Sequence, residues 1–206
     1  MAADRPLSRI DSALHRITRD LDGLRVQWAL VGGLAVSARV EPRFTRDIDL
    51  VVAVEGDDHA ECLLRDLQGL GYRVAAIMEQ EATGRLAASR LIPPEESDSG
   101  VVLDTLFASS GIEAEVAAGA DVLDILPGVR VPVASLGHLI ALKVLSRDDE
   151  TRPQDRVDLL ALLNAAEPRD IDHARAALAL IESRGFHRRR DLSAQLTELL
   201  RGRACG

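Results

Sequence analysis

Two glycines and two aspartates constrain this chain more than anything else in it. The apolar run Trp28–Val31 ends at Gly32-Gly33, and fourteen residues after Gly33 the triplet Asp47-Ile48-Asp49 opens a second apolar run, Leu50-Val51-Val52. Side chains alternate along a strand, so Asp47 and Asp49 share one face, with Cα atoms ~6.6 Å apart, while Ile48 and Leu50 share the other. Two carboxylates on one face repel unless a cation stands between them or water surrounds them. Paired Mg²⁺ ions ~3.5–4 Å apart are the common occupant of such geometry in phosphoryl chemistry; the plain alternative is a solvated edge strand. The glycine pair favours the ion site. At a strand-to-helix turn it lets a ligand approach the backbone closely and aims the first amides of the helix at an anion such as a nucleotide phosphate.

What surrounds this feature is an ordinary globular composition. The 206 residues, 47% apolar and 28% charged, fit one domain or a domain with a small appendage. No uninterrupted apolar stretch approaches the ~20 residues of a membrane span, and no basic opening precedes an apolar run, so a cytoplasmic protein with no membrane partner is expected. Cys62 and Cys205 lie far apart with no neighbouring His or second Cys, which leaves neither a disulfide framework nor a zinc site. A net charge of −8 argues against a general basic surface for nucleic acid, although not against a local basic groove. Aromatics at 2% are too few for base-stacking platforms. A Gly-Lys-Ser/Thr phosphate loop, a Gly-x-Ser-x-Gly elbow and helically spaced histidine pairs are all missing from the sequence.

Periodicity predicts an α/β chain that becomes all-α. Apolar residues at Leu7, Ile10, Leu14, Ile17, Leu21 and Leu24 mark a first amphipathic helix. Strands are expected at 26–31, 48–54, 72–78, 101–107 and 129–133, with short helices over 34–40 and 59–70. The stretch Pro93–Gly100 is a polar loop, and the segment from Phe107 to Pro127 carries no clear pattern. Helix then follows helix, over 136–145, 155–163, 171–181 and 191–200. The expected division is an α/β core over 1–133 and a helical part over 134–206 packed on it.

Of the 25 basic residues, Lys143 is the single lysine, and 24 are arginines. Coding bias can account for the arginines but not for the exception, since a site that needs a compact ammonium cannot use a guanidinium. The surrounding helix, Ser135–Arg147, is apolar nearly all round, so Lys143 should be substantially buried and should want an anion, for which a triphosphate is suited. The alternative is a lysine snorkelling from a helix edge. The run His187-Arg188-Arg189-Arg190 is either a solvated helix start or a contact to an RNA backbone.

The motifs LVGG and DIDLVV together resemble the signature of the nucleotidyltransferase superfamily whose fold is like the palm of DNA polymerase beta. Within it, VGGLAVSARVEPRFTRDIDLVV is similar to the branch of AbiEii/AbiGii-type toxins and minimal nucleotidyltransferases, in which an Arg-x-Thr-x-Asp lead-in recurs; Arg43, Thr45 and Asp47 match it. The resemblance implies a mixed sheet with flanking helices and a third metal-binding carboxylate on a neighbouring strand. Asp104, amid Val102, Leu103, Leu106 and Phe107, is the candidate, since an unpaired carboxylate there would be costly to desolvate. Asp98, Asp121 and Asp124 are less suited. The same resemblance implies a lysine and a later aspartate beyond the strands. Lys143 is the lysine; the aspartate is Asp155 or Asp158, with Asp155 ranked first because Arg152–Asp155 matches an Arg-x-x-Asp pattern.

The implied activity is transfer of a nucleoside monophosphate from a nucleoside triphosphate to an acceptor hydroxyl. Asp47, Asp49 and Asp104 would bind two Mg²⁺ ions (Mn²⁺ is possible), while Gly32, Gly33, Arg43, Thr45 and Lys143 would take the nucleotide. RNA such as tRNA, or protein, is the expected acceptor, with an antitoxin as a further partner in a toxin-antitoxin or phage-defence system. A small-molecule antibiotic acceptor and a non-catalytic nucleotide-binding antitoxin are the alternatives, and a glycosyltransferase reading of Asp-x-Asp has no support from the glycine turn.

Overall fold

The structure is a computed structural model and describes residues 8–40, 45, 47–80, 83–94, 96, 100–126, 128–148 and 153–204. Helix α1 (Arg9–Leu24) starts where Ser8 and Asp11 cap one another: the Ser8 hydroxyl accepts from the Asp11 amide and the Asp11 carboxylate accepts from the Ser8 amide. Its buried face is Ala13, Leu14, Ile17 and Leu21, the expected three-and-four spacing. Next come β1 (Trp28–Val31), α2 (Gly32–Arg39), β2 (Asp47–Val52), α3 (Asp57–Gly69) and β3 (Arg73–Glu79). These are followed by β4 (Leu86–Ile92), β5 (Val102–Leu106), α4 (Glu113–Ala118), β6 (Asp121–Leu126) and β7 (Val129–Val133). The chain closes with α5 (Leu136–Ser146), α6 (Pro153–Ala165), α7 (Pro168–Ser183) and α8 (Leu192–Ala204).

All seven strands form one mixed sheet in the order β3-β4-β5-β2-β1-β7-β6. Strand β2 lies at its centre, antiparallel to β1 and parallel to β5. A central strand covered on both faces buries nearly everything, and every residue of β1 is buried. Along β2 one face carries Ile48, Leu50 and Val52, all inaccessible. The other runs from exposed Asp47 through half-buried Asp49 to buried Val51, so it passes from solvent to core within five residues.

Strand β4 and the pair α4–β6 have no counterpart in the sequence reading. The residues of β4, LAASRLI, are alanine-rich, and all but Arg90 are buried, so neither strand propensity nor alternation marks them. In β6 the charges Asp121 and Asp124 interrupt the apolar pattern, but the strand is held by its pairing with β7.

Helices α5 to α8 follow β7 in the chain and share one continuous apolar cluster with the sheet. Helix α5 is the centre of that group, with Leu139, Ile140, Ala141, Val144 and Leu145 buried. It meets α7 at very short range: a Cβ on Gly137 would lie 2.8 Å from His173 Cβ and 2.9 Å from the Asp170 carbonyl. No helix among the described residues is long and apolar enough to cross a membrane.

Candidate active site

The pairing of strands assembles the carboxylates. Val31 stands opposite Asp49 across β1 and β2, Asp49 opposite Asp104 across β2 and β5, and Asp104 opposite Arg90 across β5 and β4. A lateral row crossing four strands thus runs from the end of β1 through two carboxylates to an arginine. Helix α2 begins directly at Gly32, so the glycine turn opens beside Asp49.

Gly32 has φ +63°, a left-handed conformation that side chains rarely adopt. It also stands so close to Asp49 that a Cβ would lie 1.9 Å from Oδ2. The Gly33 amide donates to the same carboxylate. Gly32 therefore makes room for Asp49 itself and Gly33 donates to it, whereas the sequence reading assigned the pair only to an incoming ligand. Burial is the largest influence on Asp49, followed by the charges of Asp104 and Asp47; together they push its titration up to about 6, against the opposing pull of Lys143 and the Gly33 amide.

Asp104 is held in a two-pronged fork. Arg90 donates from Nε to Oδ1 at 2.8 Å and from Nη2 to Oδ2 at 2.7 Å. This planar, charge-assisted pair is the strongest form such a contact takes, and it holds the guanidinium even more firmly charged than usual. Arg90 was not foreseen: it lies in the strand that the sequence pattern hid, and only the β4–β5 register reveals it.

On the opposite wall Lys143 is buried, as the apolar helix around it requires. Its partners are both of the candidate later aspartates. Nζ lies 2.5 Å from Asp155 Oδ1 and 2.8 Å from Asp158 Oδ2. Asp158 is 2% exposed, and Gln154 donates to its Oδ1 at 3.1 Å. Asp155 reaches the cleft and also accepts from the Ser146 hydroxyl at 3.4 Å. The two aspartates are thus one unit with the lysine, Asp155 facing the cleft and Asp158 the core.

These walls enclose a cleft of about 1140 Å³, lined by Gly32, Gly33, Thr45, Asp47, Asp49 and Asp104 on the sheet side and by Lys143 and Asp155 on the helical side. Arg43 and Arg152 lie outside the described residues. From the basic run, Arg188 and Arg190 line the rim, and Arg188 and Arg189 both have left-handed backbones, φ 53° and 58°. Arg190 is a brace: it donates to the carbonyls of Val144, Leu145 and Arg147 at 3.0–3.2 Å and so satisfies the open end of α5. Arg184 is committed elsewhere, to Glu115 and the Gly111 carbonyl.

The donor set is all oxygen and anionic, which suits hard divalent cations such as Mg²⁺ or Mn²⁺. Asp49, buried and flanked by two further carboxylates, stands where a divalent cation would offset both the burial and the repulsion of its charge. As the side chains stand, no three His, Cys, Asp or Glu residues among those described converge on a single ion; Asp104 points to Arg90 instead.

Comparison with known proteins agrees with this geometry. Residues 12–204 match the family model described as "Nucleotidyl transferase AbiEii toxin, Type IV TA system". A search of curated proteins finds no significant match. Among solved structures, an antigenic nucleotidyltransferase-like protein from Paracoccidioides brasiliensis shares 22% identity over 90% of this chain and 93% of its own, with a TM-score of 0.50. ANT(2″)-Ia in complex with adenylyl-2″-tobramycin shares 19% over 84% and 97%, TM-score 0.53. The lincosamide antibiotic adenylyltransferase LnuA, lincomycin-bound, shares 14% over 76% and 98%, TM-score 0.50. These structures share the fold; the family match covers nearly the whole chain, which belongs to the AbiEii nucleotidyltransferase family and is a nucleotidyltransferase.

Proposed function

We propose that the protein is a Mg²⁺-dependent nucleotidyltransferase of the toxin type, moving a nucleoside monophosphate from a nucleoside triphosphate to a hydroxyl of RNA in the cytoplasm. The observation that carries this reading is the lateral register that puts Asp49 beside Asp104, at the glycine turn and across one cleft from Lys143. Asp47, Asp49 and Asp104 would hold two Mg²⁺ ions, with Mn²⁺ a possible substitute. When bound, the metal neutralises the triphosphate and lowers the pKa of the acceptor hydroxyl.

The chain's own residues do the rest. Gly32 gives up its side-chain space to the Asp49 carboxylate, and Gly32 and Gly33 line the cleft where α2 begins, so the start of that helix would receive the phosphates. On the opposite wall Lys143 is held by Asp155 and Asp158, and its ammonium would donate its remaining N–H to a phosphate oxygen. The acceptor oxygen attacks the α-phosphorus, the bond to the β-phosphate oxygen breaks, pyrophosphate leaves, and the hydroxyl proton goes to solvent. Arg188 at the rim supports RNA as acceptor, since phosphate backbones are held by such cations. A cognate antitoxin protein would be the further partner, as the family description suggests.

A small-molecule acceptor is the second reading, favoured by the fold shared with ANT(2″)-Ia and LnuA. One experiment separates the two. The protein is incubated with each α-labelled triphosphate, Mg²⁺, and total cellular RNA, lysate protein or an aminoglycoside. Label on RNA, lost with Asp47→Asn, is expected; label confined to protein or to the aminoglycoside refutes the RNA acceptor.

A further inference from the structure

Arg90 stands in the one place where a cation can compete with a metal ion for the third carboxylate. Its Nε and Nη2 meet Asp104 side-on and engage both oxygens, the same oxygens that a metal ion would need. The two partners are unequally free. The Asp104 side chain is 16% exposed and fixed in a central strand, whereas that of Arg90 is 46% exposed and lines the cleft on a long, flexible stem. Whichever partner moves, it is the arginine. The fork to Asp104 uses only two of the five N–H donors of a guanidinium that lines the cleft.

The charge balance gives the movement a direction. Asp47, Asp49 and Asp104 form a cluster that Arg90 partly neutralises, and all three draw on its charge. A divalent ion arriving at Asp104 makes that neutralisation redundant and repels the guanidinium. A triphosphate arriving with it offers oxygens that match the same fork.

We propose, on the basis of the function above, that Arg90 occupies Asp104 while the cleft holds no nucleotide and passes to the phosphate oxygens when the metal–triphosphate complex enters. Arg90 thereby suppresses metal loading without nucleotide and links the arrival of the two.

The test uses the whole chain with Mn²⁺ alone and with Mg²⁺-tripolyphosphate, which carries no base. Free Mn²⁺ is read by electron paramagnetic resonance and tripolyphosphate binding by calorimetry. Arg90→Gln should bind Mn²⁺ at least tenfold more tightly than the parent and Mg²⁺-tripolyphosphate at least tenfold more weakly. Arg90→Lys keeps the charge but loses the fork, and should fall between the two; it decides the matter if Arg90→Gln does not fold. Unchanged or weaker Mn²⁺ binding in these variants overturns the proposal and makes Arg90 a brace for Asp104. Asp104→Asn separates the two levels. If it fails to weaken Mn²⁺ binding, the metal reading itself falls; if it weakens binding while the Arg90 variants fail to tighten it, only the role of Arg90 falls.

Discussion

Asp49→Asn should make the metal-free protein more stable, and the gain should depend on pH in a defined direction. The carboxyl titrates near 3.8 ordinarily and at about 6 in the folded protein. A group whose folded value is raised favours the folded state fully below its unfolded value and loses that favour as pH rises through the folded value. The charged carboxylate therefore weakens the fold progressively between pH ~4 and ~6, and at full strength above that. The displacement corresponds to about 3 kcal/mol at 1.36 kcal/mol for each pKa unit, and the part of Asp49 still in contact with water lowers this toward ~2 kcal/mol. Asparagine has the same shape, so it keeps the bond from the Gly33 amide and the close fit against Gly32. At ~2–4 °C per kcal/mol for a chain of this length, Tm at pH 8 should rise by roughly 4–12 °C, and at pH 4 it should hardly move. Differential scanning calorimetry at the two pH values, with chelator present, measures both. An equal rise at both pH values, or none at pH 8, refutes the argument that the buried charge of Asp49, set beside two like charges, burdens this strand.

Other perturbations read the same site from different sides. Lys143→Met removes the ammonium that Asp155 and the 2% exposed Asp158 share, and should lower stability in urea unfolding by up to about 3–5 kcal/mol; adding Asp158→Asn should recover much of the loss. Wild-type stability in the single variant would show that the ammonium does not hold the pair. Gly32→Ala forces a Cβ to within 1.9 Å of Asp49 Oδ2 and adds about 1–2 kcal/mol of left-handed backbone cost; both stability and nucleotide turnover should fall, and retention of both would refute the close approach.

How much of this was visible beforehand depends on the range over which each signal acts. The glycine turn and the Asp47/Asp49 face are local patterns, set by strand alternation and by backbone freedom, and a short stretch of sequence contains them. Asp104 and the lysine helix were reached through the resemblance and through burial, and the structure places both at the cleft. Arg90 was hidden because β4, LAASRLI, shows no alternation and has a single β-branched residue, Ile92; its identity as a strand comes from its neighbours β3 and β5. The sequence ranked Asp155 above Asp158 on the Arg-x-x-Asp pattern, but helical spacing puts both within reach of one ammonium, and Lys143 pairs with both. Arg190 looked like part of a solvated basic run, yet its partners are carbonyls more than forty residues earlier.

That brace has a consequence in time. The helix that carries Lys143 is finished at its open end by an arginine that itself contacts Gln195, so the cleft wall depends on residues 52 positions downstream of the lysine. At roughly 5–20 residues per second of synthesis, the lysine is made some 3–10 s before the segment that secures it. A nascent chain therefore carries the carboxylate row well before it carries a finished opposite wall, and the cleft is complete only once the segment around Arg190 and Gln195 has been made.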